Sequence, residues 1–577
     1  MTRQWIIPPV SQESTALADR RGLPSLIAHI LSNRGIHEEA RIDGFLTPQL
    51  KDLHPPAMLP GATAAAELLV AAVRSKLTIV LYGDYDVDGT AGVAILWHAL
   101  RQAGAEPRFY VPHRIEEGYG LNATAVRRLV EDGAEFIVAI DCGITAIDIA
   151  AELQTRGIPL LILDHHVLPA ELPAAAAIVH PSIGGAYPNP NLCATGVAFK
   201  VAWAFAQRMC GAERVDPAYR NLLLKELLPL AALGTIADVV PLTGENRIIA
   251  RHGLQGLSAS AVPGIRALIE SSGLNGAAIS DYDVGFKLAP RINAAGRMGH
   301  ARLAVELLTW ADAARAREIA LYLEGHNRSR QSAERKIAQQ AREMVEHDDL
   351  ASDAHRAIVL ASPRWHAGVI GIVAARLVER YHRPAILIAL SADGGQGSGR
   401  SISGFDLAGA LTECEEHLIA HGGHAMAAGL RIAPDRVEAF RRAFVEVANQ
   451  RLTAGDLQPK LRLDAEVRLK ELTLPTAELI LNLGPFGVGN PKPKLSTDFV
   501  ELAAEPRCVG AAQDHLQAVF QQDGVLVRGI GFGLASAIED LKQHRRCRLA
   551  FEPIINGFNG RKDVEMRILD FKYPSSI

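Results

Sequence analysis

Three carboxylates stand closest to chemistry in this chain: Asp84, Asp86 and Asp88, in the segment Asp84-Tyr-Asp86-Val-Asp88-Gly89. They follow the apolar run Leu77-Thr-Ile-Val-Leu81, which reads as a buried parallel strand. On an extended backbone alternate residues share a face, so the acids converge, with alternate Cα atoms about 6.6 Å apart. That suits two divalent cations about 3.5–4 Å apart better than one. An acidic turn capping a helix would use the same residue types. Two further apolar runs bear on the choice. Phe136-Ile-Val-Ala-Ile140 ends in Asp141-Cys-Gly143, and Pro159-Leu-Leu-Ile-Leu163 ends in Asp164-His165-His166. Asp238, in Gly234-Thr-Ile-Ala-Asp238, follows an apolar helix-like stretch from Leu222. Three strands delivering acid or imidazole at their C-terminal ends, where open α/β sheets bind ligands, point to a metal centre.

The elements that must position these groups are legible between about 65 and 240. Strands alternate there with helices at Ala91–Gly104, Asn122–Glu131 and Ile144–Thr155, which predicts a parallel sheet covered on both faces. Residues 193–260 read as mostly helical and close the domain around Asp238. From Leu303 to Glu346 the sequence favours helix, interrupted only near Gly325, and carries Arg328, Arg330, Arg335, Lys336 and Arg342. A solvated connector is the preferred reading of that stretch, with a phosphate-facing brace as its rival. After a polar break at Asp348–Asp353, strands at Ala357–Ala361 and Ala385–Leu390 with helices at 368–381 and 406–420 predict a smaller α/β domain. Beyond Pro459 the short strand-like pieces separated by Gly, Asp and Asn predict a β-rich C-terminal domain, consistent with a small barrel.

Size and charge bound the function. At 577 residues the chain is too long for one core. With 48% hydrophobic and 21% charged residues it has the composition of an ordinary globular protein. A net charge of −4 excludes a strongly basic surface, so any nucleic-acid path is a local basic lining. Cys142, Cys193, Cys210, Cys414, Cys508 and Cys547 show no C-x-x-C pair or disulfide framework and read as thiols in a reducing compartment. Cys142 beside Asp141 reads as core packing. With neither a signal-peptide core nor a long apolar span, a cytoplasmic protein without membrane contact is expected.

The four acidic and histidine motifs resemble, in order and spacing, those of the DHH phosphoesterases. Pro290-Arg-Ile-Asn-Ala-Ala-Gly-Arg-Met-Gly299, Trp365-His-Ala-Gly-Val-Ile-Gly371, Gly397-Ser-Gly-Arg-Ser401, Gly422-Gly-His-Ala-Met-Ala-Ala-Gly429 and Pro485-Phe-Gly-Val-Gly-Asn-Pro491 are similar to the RecJ branch of that family. The likeness runs from about residue 50 onward. It implies an α/β fold: a parallel-sheet DHH domain (61–300) after an N-terminal extension (1–60), a connecting helix (301–350), a smaller DHHA1-like α/β domain (351–455) and an OB-like C-terminal β-barrel (456–577). It also implies a metal-dependent exonuclease that degrades single-stranded DNA 5′→3′ in recombination and repair. Hydrolysis of a phosphodiester needs an activated water and neutralised phosphoryl oxygens, which two bridged cations supply. Carboxylates with an imidazole suit Mn²⁺ or Mg²⁺, with the histidine favouring Mn²⁺.

Carried over by the resemblance, Asp86 serves one metal and Asp88 the other, Asp141 bridges, and His165 and Asp238 complete the ligand set of the second metal. His166 faces the scissile phosphate or orients a catalytic group, and Asp84 is an outer positioning acid or a proton donor. Asp164 reads as structural. Ser398 and Arg400, in a glycine-rich loop, are implied 5′-phosphate contacts, with Arg114 and Arg297 reaching in from the first domain. Arg291 and Asn293 contact the DNA backbone, and His424 is a DNA or phosphate neighbour. A passage between the domains would admit single strands, and a 5′-end pocket would set polarity. Phe520, Phe532 and Phe558 are stacking candidates with core as the safer assignment, and Arg545-Arg-Cys-Arg548 is a phosphate-binding stretch or a solvated edge. A helicase and a single-strand-binding protein are the implied partners, and a monomer is expected.

Three rivals remain at this point. DHH pyrophosphatases carry a histidine four residues before the first metal-ligand Asp, where this chain has Tyr82 before Asp86. Phosphodiesterases of short oligonucleotides or cyclic dinucleotides share the motifs but are two-domain chains, without a counterpart to the residues after 455. A metal-free DNA-binding scaffold would have lost acids that are all present here.

Overall fold

A computed structural model describes residues 3–113, 117–297, 300–558 and 561–574. The chain divides into two compact units, one of 7–324 with 463–577, the other of 1–6 with 325–462.

The first unit is built on strands β1 (Ile79–Gly83), β2 (Arg108–Tyr110), β3 (Phe136–Ile140), β4 (Leu160–Leu163) and β5 (Ala177–Val179). All pair in parallel, in the order β2-β1-β3-β4-β5. Every residue of β1, β3 and β4 is buried, which is why those segments read as unbroken apolar runs and not as alternating ones. Ile79, Leu81, Val138 and Ile140 pack beneath helices α1 (Val87–Gln102), α2 (Ala194–Cys210) and α3 (Leu228–Ala237). Val80, Ile137, Ala139 and Ile162 face the helices Ala123–Glu131 and Ile147–Thr155. The parallel order forces each strand to end on the same edge, so Asp84, Asp141 and Asp164 emerge together.

Helix α4 (Ala289–Arg297) continues a π-turn at Val284–Leu288, and the 35-residue helix α5 (Ala313–His347) follows. The expected break near Gly325 does not occur: α5 runs straight through it. Glycine costs only about 1 kcal/mol in a helix. Leu323 on one side and Ile337 and Ala341 on the other are each anchored in a core. The break falls at Thr309–Asp312 instead, between the helix Ala301–Leu308 and α5.

The C-terminal part of this unit is an eight-stranded, mainly antiparallel sheet from Ala465 to Lys572. Its core is shared with the N-terminal helices Gln12–Arg21, Ser25–Asn33 and Glu39–Leu46, through Leu17, Ile27, Ile30, Leu31 and Phe45.

The second unit carries β6 (Ile358–Ser362), β7 (Ala385–Ser391), β8 (Gly394–Arg400), β9 (Ala420–His424) and β10 (Ala427–Ile432), in the order β9-β10-β8-β7-β6, with only β6 and β7 parallel. Helix α6 (Ala367–Tyr381) covers one face, and Leu407–Glu413 and Val437–Arg451 the other. Two expectations are corrected here. The helix foreseen over 406–420 ends at Glu413, and β9 begins at Ala420. Gly397–Arg400 is not a loop but part of β8, paired on both edges. Its glycines are needed because Cβ atoms at Gly397 and Gly399 would lie 2.7 Å from Leu430 and 2.9 Å from Leu407.

Candidate metal centre

The three acids of the first motif do not lie on one extended backbone, as alternation suggested. β1 stops at Gly83 and α1 starts at Val87, so they straddle a strand–turn–helix. Asp86 is the helix N-cap: its Oδ1 accepts from the amides of Asp88 (2.8 Å) and Gly89 (3.2 Å). Helix capping and cation binding are thus uses of one local structure. A Cβ on Gly89 would lie 2.6–2.8 Å from backbone atoms of Asp84, so only glycine lets α1 begin this close to the turn. Asn293 of α4 accepts from the Val87 amide at 3.1 Å and pins the same turn.

Asp88 is buried against the N-terminus of α2. Its carboxylate accepts from the amides of Ala194 and Thr195, each at 2.8 Å, and from the Thr195 hydroxyl. Two otherwise orphaned helix amides hold the anion in place. Gly234 of α3 packs on Thr195, which draws Asp238, the C-cap of α3, to the same point. Asp141 and Val239 both have left-handed φ, 64° and 63°. Such non-glycine geometry costs about 1–3 kcal/mol each and concentrates at functional sites.

Asp164 accepts from the amides of Ile144 (3.0 Å), His165 (2.8 Å) and His166 (3.1 Å) and bonds the His166 ring at 2.7 Å. It brackets the two histidines. Tyr119 donates to the Asp141 carbonyl at 3.0 Å or to the His166 ring. His180 holds the His166 carbonyl at 2.8 Å.

Three ligand groups result, in each of which the donor atoms lie within 4.8 Å of one another: Asp84, Asp86 and Asp141; Asp88, His165 and Asp238; and Asp141, His165 and His166. Asp141 and His165 link them. The geometry puts Asp84 in a ligand group, whereas the sequence reading had it outside the metals.

The buried Nε2 of His165 lies 3.3 Å from Asp141 Oδ1, and neither atom makes a hydrogen bond. Asp88 Oδ2 and Asp238 Oδ2 lie 3.7 Å away. Buried polar atoms that converge without bonding one another are what a bridging cation requires. Burial, and then the neighbouring Asp88 and Asp86, push the Asp238 carboxyl up to about 9, and the same causes raise Asp141 well above the usual carboxylate range. Burial lowers His165, leaving a neutral imidazole able to ligate. Burial also opposes charge on His166, but its hydrogen bond to Asp164 outweighs this and raises it. Hard oxygen donors with one or two imidazoles fit Mn²⁺ or Mg²⁺.

The remaining sequence-predicted residues are distributed as follows. On β8, Ser398 and Arg400 share a face, with an Arg400 Nη1–Ser398 Oγ distance of 3.4 Å. Gly371 of α6 lies against both: a Cβ there would sit 2.7 Å from Ser398 Oγ and 3.3 Å from Arg400 Nη2. The register carries Arg400 onto Ala427 and Ala427 onto the exposed His424, and Ser398 onto Gly429, where a Cβ would meet the Gly397 carbonyl oxygen at an ordinary 3.8 Å. Arg291 is ion-paired with Glu324 at 2.8 Å, and Asn293 holds the α1 turn. Arg114 lies outside the described residues, and of Arg297 only the backbone is described.

Three family models match the chain: the DHH family N-terminal domain at residues 78–235, the DHHA1 domain at 354–450 and the RecJ OB domain at 463–570. The single-stranded-DNA-specific exonuclease RecJ of Dickeya dadantii is 37% identical, over 95% of this chain and 96% of that protein. RecJ of Bacillus subtilis is 36% identical, over 98% and 70% respectively. The chain belongs to the RecJ family.

Among solved structures, Thermus thermophilus RecJ in complex with Mn²⁺ matches with a TM-score of 0.83 and 31% identity, over 99% of this chain and 80% of that one. An exonuclease RecJ bound to manganese matches with a TM-score of 0.60 and 36% identity, over 69% and 98%.

Within this RecJ chain, sequence reasoning missed Thr195, Tyr119 and His180. Thr195 opens a helix 107 residues from the carboxylate it holds, so no local pattern could reveal it. Tyr119 stands between Gly118 and Gly120, both with positive φ, and that Gly-Tyr-Gly pattern was the available signal. Of the aromatic candidates, Phe520 is core and Phe532 is exposed, while the Phe558 side chain is not described. In the basic stretch, Arg548 is ion-paired with Glu466, and Arg546 lies over Phe499 at 4.7 Å. Cys142 is buried in the sheet core, its thiol raised by burial, in keeping with packing.

Proposed function

We propose that this chain is a metal-dependent exonuclease that hydrolyses single-stranded DNA stepwise from its 5′ end. The observation that carries the reading is the pair of ligand groups joined through Asp141 and His165. Its family relatives bear the name single-stranded-DNA-specific exonuclease.

Asp84, Asp86 and Asp141 would hold one divalent cation, and Asp88, His165 and Asp238 the other, with Asp141 next to both groups; Mn²⁺ is preferred and Mg²⁺ is the alternative. Bound there, the cations lower the pKa of water and neutralise the attacked phosphate. The amides of α2 hold the Asp88 carboxylate in place. The hydrogen bond to Asp164 orients His166 and favours its charged form, whose ring N–H would donate to a phosphoryl oxygen. Tyr119 holds the strained Asp141 backbone and the His166 ring together. Ser398 and Arg400 bind the terminal 5′-phosphate with His424 beside them, and Arg114 and Arg297 are assigned to DNA phosphates. Arg291, neutralised by Glu324, and Asn293, engaged at α1, support the centre more than the DNA.

The role is in DNA recombination and repair, in the cytoplasm, with a helicase and a single-strand-binding protein as partners of a monomer. Residues 1–60 are an N-terminal extension, 61–300 the DHH domain, 301–350 a helical connector, 351–455 the DHHA1-like domain and 456–577 the OB-like domain. Metal-free protein given Mn²⁺ and a 3′-labelled single strand should yield a descending ladder, and no ladder on blunt duplex. Survival of long strands while dinucleotides are cleaved would replace it with a short-oligonucleotide phosphodiesterase.

A further inference from the structure

Two large aromatic side chains are displayed to solvent just upstream of the residues that brace the metal centre. Tyr282 and Phe286 are 54% and 70% exposed, and their rings stack with centroids 4.7 Å apart and planes 24° apart. The helix that carries them passes through the π-turn Val284–Leu288 into α4, where Asn293 accepts from the Val87 amide beside Asp86. Seven residues at 1.5 Å each separate Phe286 from Asn293, about 10 Å along the axis. A π-turn at this position is itself a feature that recurs near functional sites.

The charges nearby are already satisfied. Lys287 lies 6.0 Å over the Tyr282 ring and is paired with Asp283 at 2.7 Å; Arg291 is paired with Glu324. A surface with open π-faces and neutralised cations does not hold phosphates. It holds planar, apolar-faced groups.

We infer that Tyr282 and Phe286 form a base-stacking platform for the single strand as it lies beside the metal centre. This rests on the proposed function and adds to it the way the strand is gripped: through its bases, without sequence preference. Such stacking is independent of salt, unlike phosphate contacts.

The test uses the full chain in Ca²⁺ with single-stranded oligonucleotides carrying 2-aminopurine at successive positions from the 5′ end. Wild type should quench the probe at one or two adjacent positions. Phe286→Leu, which keeps apolar area but cannot stack, should abolish that quenching and weaken binding about tenfold, and Phe286→Trp should restore both. The slope of log Kd against log salt should be the same in all three. Equal quenching and affinity in wild type and Phe286→Leu, or a changed salt slope, would overturn the inference while leaving the nuclease reading intact. A wild-type chain that leaves single strands undegraded in Mn²⁺ would overturn the proposed function, and this inference with it.

Discussion

Substituting Gly89 by alanine tests the construction of the metal centre without touching a ligand. The new Cβ would lie 2.6 Å from the Asp84 carbonyl oxygen, 2.7 Å from its nitrogen and 2.8 Å from its Cα. All three are backbone atoms, so no rotamer relieves the clash. Restoring an ordinary 3.4 Å contact requires about 0.8 Å of separation between α1 and the Asp84 turn. Metal–ligand distances tolerate about 0.2 Å. Asp84 and Asp86 therefore leave their group, whereas Asp88, clamped by α2, keeps its place. The expected result is a fall of about 10–100-fold in affinity at one of two Mn²⁺ sites. The overpacking itself costs about 1–3 kcal/mol, small enough to leave the chain folded. Isothermal titration with Mn²⁺, alongside circular dichroism, reads both. Two undisturbed sites in a folded Gly89→Ala protein would refute the reasoning.

Three substitutions have outcomes set by the same packing. Thr195→Val removes the hydroxyl that holds Asp88 and should weaken the second Mn²⁺ site about tenfold in the same titration; an unchanged second site would show the α2 amides suffice. Gly371→Ala crowds Ser398 and Arg400, so it should cost affinity for a 5′-phosphorylated strand and not for a 5′-hydroxyl strand, compared by fluorescence anisotropy. Arg247, buried at 1% exposure, donates to the carbonyls of Phe45, Gly484 and Pro485. Its replacement by alanine should lower stability by about 1–3 kcal/mol in urea denaturation, as the Phe45 carbonyl loses its side-chain donor while Gly484 and Pro485 keep Arg251 and Asn490.

The pH dependence has a definite sign. Burial, with Asp88 and Asp86 close by, raises Asp238 to about 9 in the metal-free chain, so folding takes up a proton across the pH range from near 4 to near 9. The stability this lends is present at low pH and lost as pH rises through 9. Mn²⁺ must displace that proton, so its affinity and its effect on Tm should both grow from pH 6 to pH 9, with proton release detectable in buffers of different ionisation enthalpy. A stabilisation independent of pH would contradict the protonated state of the cluster.

What the sequence determined by itself was chiefly local. Runs such as Phe136–Ile140 announced strands buried on both faces, and acids at three strand ends announced the edge where they would meet, because a parallel sheet leaves no other arrangement. The motifs Asp84–Asp88, Asp141 and Asp164–His166 were legible for that reason, whereas Asp238, at the end of a helix, was legible only through the family resemblance. The tertiary structure decided how those groups are held. Asp88 is fixed by amides 106 and 107 residues away, Asn293 reaches Val87 across 206 residues, and Asp141 adopts a left-handed backbone that no propensity foretells. The same limit misread Gly397–Arg400, where glycines that locally favour a loop are required by Leu430 and Leu407 packing onto a strand. Periodicity reports which way a side chain points relative to its neighbours in sequence. Which distant backbone it meets is settled only when the helices close over the sheet.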